Sequence, residues 1–324
     1  MQSSFLLFMK KIDISIVVPV YNEQDSILTL FDEINESISK YSWELIFIND
    51  GSTDSTKNQI LKLVNQFTNV ILIDSFTNQG KSESLNAGFS YANGNIILTI
   101  DGDLQDDPSE INRFIDSIEN SDLVCGWKQN RKDPLNKTIP SRFFNFILRL
   151  ISGIKLNDFN CGFKAYKKHV AKSLTLYGGL HRFIPVLAKK NGFKIKELAV
   201  NHRKRKYGQS KYGTLRMFHG FFDLITVLFL NRYFTKPLHF FGFVGFLLSF
   251  IGISINLYLT YFWFYYNYYI DIPMNYTINR PLLFFGILSL IVGFQLISIG
   301  LIGELIVRYY KKENSNIKNY NVIE

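Results

Sequence analysis

The 324-residue chain is poor in the residues from which several familiar sites are built: it has two cysteines, five histidines, eight prolines and only 19% charged residues. Two thiols, Cys125 and Cys161, cannot form a disulfide scaffold and have no metal-ligand spacing. They are expected as buried, reduced thiols in a reducing compartment. The histidines, His181 and His202 among them, also lack ligand spacing, and ordinary core or surface roles are assigned to them. A disordered chain would be polar and poor in aromatics, whereas aromatics make up 16% here, so disorder is excluded for most of the chain. No secretory signal opens it: Phe5 to Met9 is the first apolar run, and Lys10 and Lys11 follow it instead of preceding it. Residues 1–236 are therefore expected on the cytoplasmic side.

Charge is scarce because two stretches have none. Leu238 to Ile270 and Pro281 to Gly303 contain no Asp, Glu, Lys or Arg. Each exceeds the roughly 20 residues that cross a hydrocarbon core. Two transmembrane helices follow, at about 238–263 and 281–305, with the Tyr-rich end Tyr261 to Tyr269 forming an aromatic belt at the far interface. Arg232 and Lys236 precede the first span, and Arg308, Lys311 and Lys312 follow the second. Positive-inside logic then keeps both chain ends and the larger domain cytoplasmic.

The remaining charge is polarised. Residues 1–124 hold 7 Lys+Arg against 19 Asp+Glu, and residues 125–211 hold 21 against 3. The acidic part suits a metal ion or sugar hydroxyls, and the basic part suits phosphate. No aromatic-interleaved motif or zinc finger accompanies the basic block, so nucleic acid is not expected as a partner.

In the first half, β-branched runs alternate with helical patterns. Strands are expected at Ile14–Val18, Leu45–Ile48, Val70–Ile73 and Ile96–Ile100, and helices at Ser26–Lys40, near Ser55–Phe67 and at Lys81–Ala92. Ile27, Leu30, Phe31 and Ile34 fall on one helical face. This alternation predicts an α/β fold with a mostly parallel sheet and ligands beyond the carboxyl ends of its strands. The polar motifs fall at those ends: Pro19-Val-Tyr-Asn-Glu23, Asn49-Asp-Gly-Ser-Thr-Asp54 and Asp101-Gly-Asp-Leu-Gln-Asp-Asp-Pro108. Any one of them reads as a turn; three on one sheet edge describe a pocket. Asp101 and Asp103 flank a glycine, so along an extended chain their carboxylates share a side and can hold Mg²⁺ or Mn²⁺, with Gln105 as a third oxygen.

This set, with Asn78-Gln-Gly80 and Asn86-Ala-Gly88, resembles the family 2 glycosyltransferases of the GT-A fold. Over residues 12–312, with Gln295 and Gly300-Leu-Ile-Gly-Glu304 in the second span, it is similar to the polyprenyl-phosphate glycosyltransferases. The resemblance implies a nucleotide-sugar-binding GT-A domain followed by a two-helix transmembrane hairpin. The expected divisions are a leader at 1–11, the catalytic domain at 12–213, a juxtamembrane amphipathic segment at 214–236, the hairpin at 237–310 and a cytoplasmic tail at 311–324. It further implies that Pro19, Tyr21, Glu23, Asp50 and Ser52 line the nucleotide pocket, that Asp101 contacts the nucleotide, and that Asp103 and Gln105 hold the metal. Arg203, Arg205, Ser210 and Lys211, in a stretch matching the group's Arg-x-x-Gly-x-Ser-Lys, and Arg142 would bind the acceptor phosphate. Asp101, Asp103 and Arg205 would carry catalysis. Lys164 stands where the group has Arg, and Asp158 is left open between base and scaffold.

A nucleotide sugar, such as UDP-glucose or a related UDP-sugar, and undecaprenyl phosphate in a bacterial inner membrane are the substrates so implied, and a homo-oligomer stays open. Phe218 to Leu230 reads as an apolar segment on the membrane surface. Two rival readings are a processive polysaccharide synthase, whose Gln-x-x-Arg-Trp motif is not found here, and a non-catalytic membrane scaffold, against which the intact acidic and basic motifs count.

Overall fold

The computed structural model describes residues 12–129, 144–150, 152–203, 236–270 and 280–313. The chain divides into two compact units, Met1–Val227 and Leu228–Glu324. Arg142, Arg205, Ser210, Lys211 and the Phe218 to Leu230 segment lie outside the described residues, as do the leader and, of the tail, residues 314–324.

In the first unit the acidic half folds as β1 (Ile14–Val20), α1 (Ile27–Ser37), β2 (Trp43–Asn49), α2 (Thr56–Gln66), β3 (Val70–Asp74), α3 (Lys81–Tyr91) and β4 (Ile96–Thr99). Each expected element is present, with its ends within three residues of those expected. After it come α4 (Ile111–Ile118), β5 (Leu123–Lys128), a helical segment α5 (144–150), β6 (Lys164–Lys167), α6 (Lys168–Ser173), α7 (Ile184–Lys190) and β7 (Ile195–Val200). The strands form one seven-stranded sheet in the order β3-β2-β1-β4-β6-β5-β7. β1 pairs in parallel with β2 and β4, β2 with β3, and β5 with β7. Only β6, among the described strands, is reversed, running antiparallel to both β4 and β5.

The core follows from the patterns that made the elements. α1 buries Ile27, Leu30, Phe31 and Ile34, and α4 buries Ile111, Phe114, Ile115 and Ile118. Phe114 stacks on Phe163 with ring centroids 4.2 Å apart. Burial of this kind, near 25 cal/mol per Å² of apolar surface, drives the assembly. Both cysteines lie in this interior, and burial pushes each thiol up to about 12.

The second unit is a pair of long apolar helices, Pro237–Phe264 and Arg280–Glu313. Tyr265–Tyr269 extends the first as a π-helical turn, so the Tyr-rich end is a continuation of the helix. Both are long and apolar enough to cross a membrane. Phe243, Phe246, Phe284 and Phe294 are each about two-thirds exposed, 65–70%, which no soluble core helix would tolerate. The helices are antiparallel and meet through glycine. A Cβ on Gly245 would lie 2.5 Å from the Gly293 carbonyl oxygen, and one on Gly252 would lie 2.7 Å from that of Gly286. Two backbones this close pack as small-residue interfaces do in lipid.

Candidate active site

The loops after β1, β2 and β4 converge because parallel strands end on one edge of the sheet. After β1, Asn22 adopts φ 52°, a left-handed conformation that asparagine tolerates, and its N–H donates to Ser52 Oγ at 2.9 Å. The Asn22 side chain accepts from the Thr53 N–H at 2.7 Å. This brings Pro19, Tyr21 and Glu23 beside Ser52, all half-buried. Asp50 is buried, and its two oxygens accept the backbone N–H groups of Gln79 (2.7 Å) and Gly80 (2.9 Å). Its carboxylate thus fixes the entry to α3. Gly51, at φ 70°, must be glycine: a Cβ would lie 2.6 Å from the Thr77 backbone.

The loop after β4 departs from the extended geometry expected of it. β4 ends at Thr99, residues 102 and 103 form a turn, and Leu104 sits at φ 60° with its side chain buried. A left-handed leucine costs about 1–2 kcal/mol and persists only where its surroundings over-determine it. They do: Ser26 Oγ donates to the Gly102 carbonyl at 2.6 Å, and the Gln105 N–H donates to Asp103 Oδ1 at 3.2 Å.

The two aspartates consequently meet different environments. Asp101 is ion-paired with Lys81, the first residue of α3, and its carboxylate fills the space that a Gly162 side chain would need. Burial pushes its pKa up, but the ammonium groups of Lys81, Lys128 and Lys164 outweigh burial and hold it well below the usual carboxylate range. Asp101 is therefore an anion at every physiological pH.

Lys81, Lys128, Lys164, Asp106 and His181 were given no role from the sequence. Lys164 reaches the site because β6 is reversed: its first residue pairs with Thr99 at the carboxyl end of β4 and with Cys125 in β5. It is buried, and its ammonium donates to the Cys161 carbonyl. Lys128 pairs with the fully buried Asp106 at 2.8 Å, and burial and that partner compete, with the partner winning, so its pKa rises. His181 is held at 3.0 Å through Nδ1 by Ser82 Oγ, which also accepts the His181 backbone N–H at 3.1 Å. The Ser82 hydroxyl has a second lone pair as well as its proton, so it can pair with either tautomer of the ring. Burial, then Lys81, Arg182 and Lys164, lower the pKa of His181 well below its ordinary value. One signal was legible: a lysine at the first position of a helix opposes the helix dipole and calls for a local anion.

Asp158 is buried, and its Oδ1 accepts the Asn160 N–H at 3.1 Å. Arg203 is not aimed at open solvent. Its guanidinium bridges Glu33 of α1 at 2.6 Å and Asp107 at 2.7 Å. The other residues expected at the acceptor phosphate lie outside the described residues.

A divalent cation was expected on Asp103 and Gln105. Among the described residues no three His, Cys, Asp or Glu side chains form a cage for one. Asp103 and Gln105 still suit a hard cation of the Mg²⁺ type, which takes few protein oxygens and completes its shell from phosphates and water. A surface hollow of about 670 Å³, lined by Asn95, Ile118, Lys168 and Lys172, lies at the opposite, amino end of β4 and holds none of the motif residues.

Comparison with known proteins gives this edge a context. Residues 15–175 match the family model described as Glycosyl transferase family 2. The chain is 38% identical over 258 residues, 77% of itself and 76% of the relative, to the dodecaprenyl-phosphate galacturonate synthase of Rhizobium johnstonii. It is 32% identical over 250 residues, 76% of itself and 75% of the relative, to the undecaprenyl-phosphate 4-deoxy-4-formamido-L-arabinose transferase of Yersinia pestis. Among solved structures, the glucosyl-3-phosphoglycerate synthase of Mycobacterium tuberculosis in complex with Mn²⁺ and UDP-glucose superposes with a TM-score of 0.54. That match covers 68% of this chain and 79% of the other. At 19% identity this likeness concerns the fold.

Proposed function

The chain belongs to glycosyl transferase family 2, and from that membership we propose that it moves a sugar from a nucleotide sugar to a polyprenyl phosphate at a membrane. The observation that carries this reading is the acidic edge Asp101-Gly-Asp-Leu-Gln105 in a chain whose relatives are named for polyprenyl-phosphate sugars. The two long apolar helices support a membrane site of action. UDP is the proposed nucleotide. The relatives' names widen the expected sugar from glucose to galacturonate and 4-deoxy-4-formamido-L-arabinose.

In this mechanism the acceptor needs little activation. A phosphate monoester has a second pKa near 6, so its oxygen is largely deprotonated at neutral pH. That oxygen attacks the anomeric carbon in line. A carbon–oxygen bond to the lipid phosphate forms, and the bond to the nucleoside diphosphate breaks with its electron pair leaving on the diphosphate, so the configuration inverts. Asp103 and Gln105 would hold a Mg²⁺ or Mn²⁺ ion, which, when bound, supplies Lewis-acid stabilisation of the leaving diphosphate. Pro19, Tyr21, Glu23, Asp50 and Ser52 frame the nucleotide pocket. Lys81 and Lys164 keep Asp101 anionic and, with His181, leave the edge rich in donors to oxyanions. Arg142, Arg205, Ser210 and Lys211 are proposed to receive the acceptor phosphate.

The test is release of nucleoside diphosphate by the full-length protein in liposomes. UDP-glucose, UDP-galacturonate and UDP-4-deoxy-4-formamido-L-arabinose are each offered with and without undecaprenyl phosphate. Release from one sugar that requires both lipid and divalent metal is expected. Release that ignores the lipid for every donor would sink the proposed acceptor.

A further inference from the structure

Arg203 opens the basic stretch expected to bind the acceptor phosphate, yet its contacts among the described residues lead to the donor side. Its guanidinium lies between Glu33 and Asp107. Its backbone N–H donates to the Gln105 carbonyl at 2.9 Å, and its neighbour His202 forms an antiparallel bridge with Asp106. Two carboxylates around one guanidinium leave a net negative charge, which repels an approaching phosphate. The loop so gripped is the one that contains left-handed Leu104 and the pair Asp103 and Gln105. The Gln105 backbone is fastened at both ends, its N–H to Asp103 and its carbonyl to Arg203. That second fastening is a main-chain bond, so what the side chain itself adds is the grip on Glu33 and Asp107, which holds the loop and residue 203 together.

We propose that Arg203 is a positioning residue: it clamps loop 101–107 to α1 in the form that binds a divalent cation with the nucleotide diphosphate, and it is not a ligand of the acceptor phosphate. This rests on the reading of Asp103 and Gln105 as cation ligands. The fork of the guanidinium is essential, because one planar group addresses two carboxylates that a lysine, as a point charge, cannot bridge.

The test is equilibrium binding of Mn²⁺ in the presence of UDP, read by the loss of the free Mn²⁺ electron-spin resonance signal, on full-length protein in liposomes. Arg203→Gln, Arg203→Lys and Glu33→Gln are compared, and the KM for undecaprenyl phosphate is measured alongside. Arg203→Gln is expected to weaken Mn²⁺ binding about tenfold, as for directly coupled groups. Arg203→Lys should fall between it and the parent. Glu33→Gln, which keeps Arg203 and Asp107 in place, should shift binding the same way, and it carries the expectation alone if the arginine variants do not fold. The acceptor KM should stay within about twofold, as for a residue that does not touch the lipid. A tenfold or larger rise in acceptor KM with Mn²⁺ binding unchanged would overturn the proposal and make Arg203 a phosphate ligand. Asp103→Asn separates the two layers. Intact Mn²⁺ binding in that variant removes the cation assignment itself, whereas its loss there, with no weakening in the Arg203 and Glu33 variants, removes only the clamp.

Discussion

Gly162 shows how much of the chemistry depends on a missing side chain. Its position lies directly against the Asp101 carboxylate, so Gly162→Ala must drive that carboxylate away from Lys81. We expect turnover to fall on the order of a hundredfold, as for other small misplacements of a reacting group; steady-state diphosphate release near the parent rate would contradict this. His181 makes a prediction in pH. Its folded pKa is depressed, so as pH falls below about 6.5 the unfolded chain takes up the proton first. Its contribution to stability is present above that value and is lost toward acid. The thermal midpoint should therefore drop more between about pH 6.5 and 5 in the parent than in His181→Gln; parallel curves would refute it. Asp103 and Gln105 could be found in the sequence because aspartate and glutamine after an apolar strand are a local pattern. Lys164 and His181 could not, because they are brought to the Asp101 edge from 63 and 80 residues away by pairings that no local pattern encodes; Lys81 left only its place at the first position of a helix.

Elements were legible where burial is repetitive. β1 to β4 and α1 to α3 alternate apolar runs with 3.6-residue periodicity, and their ends come within three residues of the structure. β6, with lysine at both ends of Lys-Ala-Tyr-Lys, has too little apolar signal to be read as a strand, and its reversal depends on neighbours far off in the chain. The structure distinguishes two glycines of the first apolar helix. Gly245 faces the partner backbone, whereas a Cβ on Gly242 would touch only Leu238 of its own helix, at 3.3 Å. Gly245→Leu should cost about 1–3 kcal/mol by overpacking, and Gly242→Ala should cost little. Thermal unfolding in detergent would separate the two, and equal midpoints would argue against the glycine contact.

At the scale of the molecule, an acidic half and a basic half are joined in one sheet, and a hydrophobic hairpin follows in the chain. If the hairpin holds the enzyme at the lipid surface, deletion of residues 237–310 should lower transfer to undecaprenyl phosphate in liposomes about a hundredfold through lost effective concentration. UDP binding should persist in the same protein; if it is lost in parallel, the deletion has damaged the catalytic fold and the role assigned to the hairpin falls. The reversed β6 also sets an order in time. On the ribosome, β1 to β4 and the loop bearing Asp101 emerge first and can pair in parallel as they appear. Gly162 and Lys164 arrive some sixty residues later and slide in beside β4 from the opposite direction. A nascent chain thus carries its acidic edge, with Lys81 already beside it, well before the second lysine and the glycine against which Asp101 rests have been made.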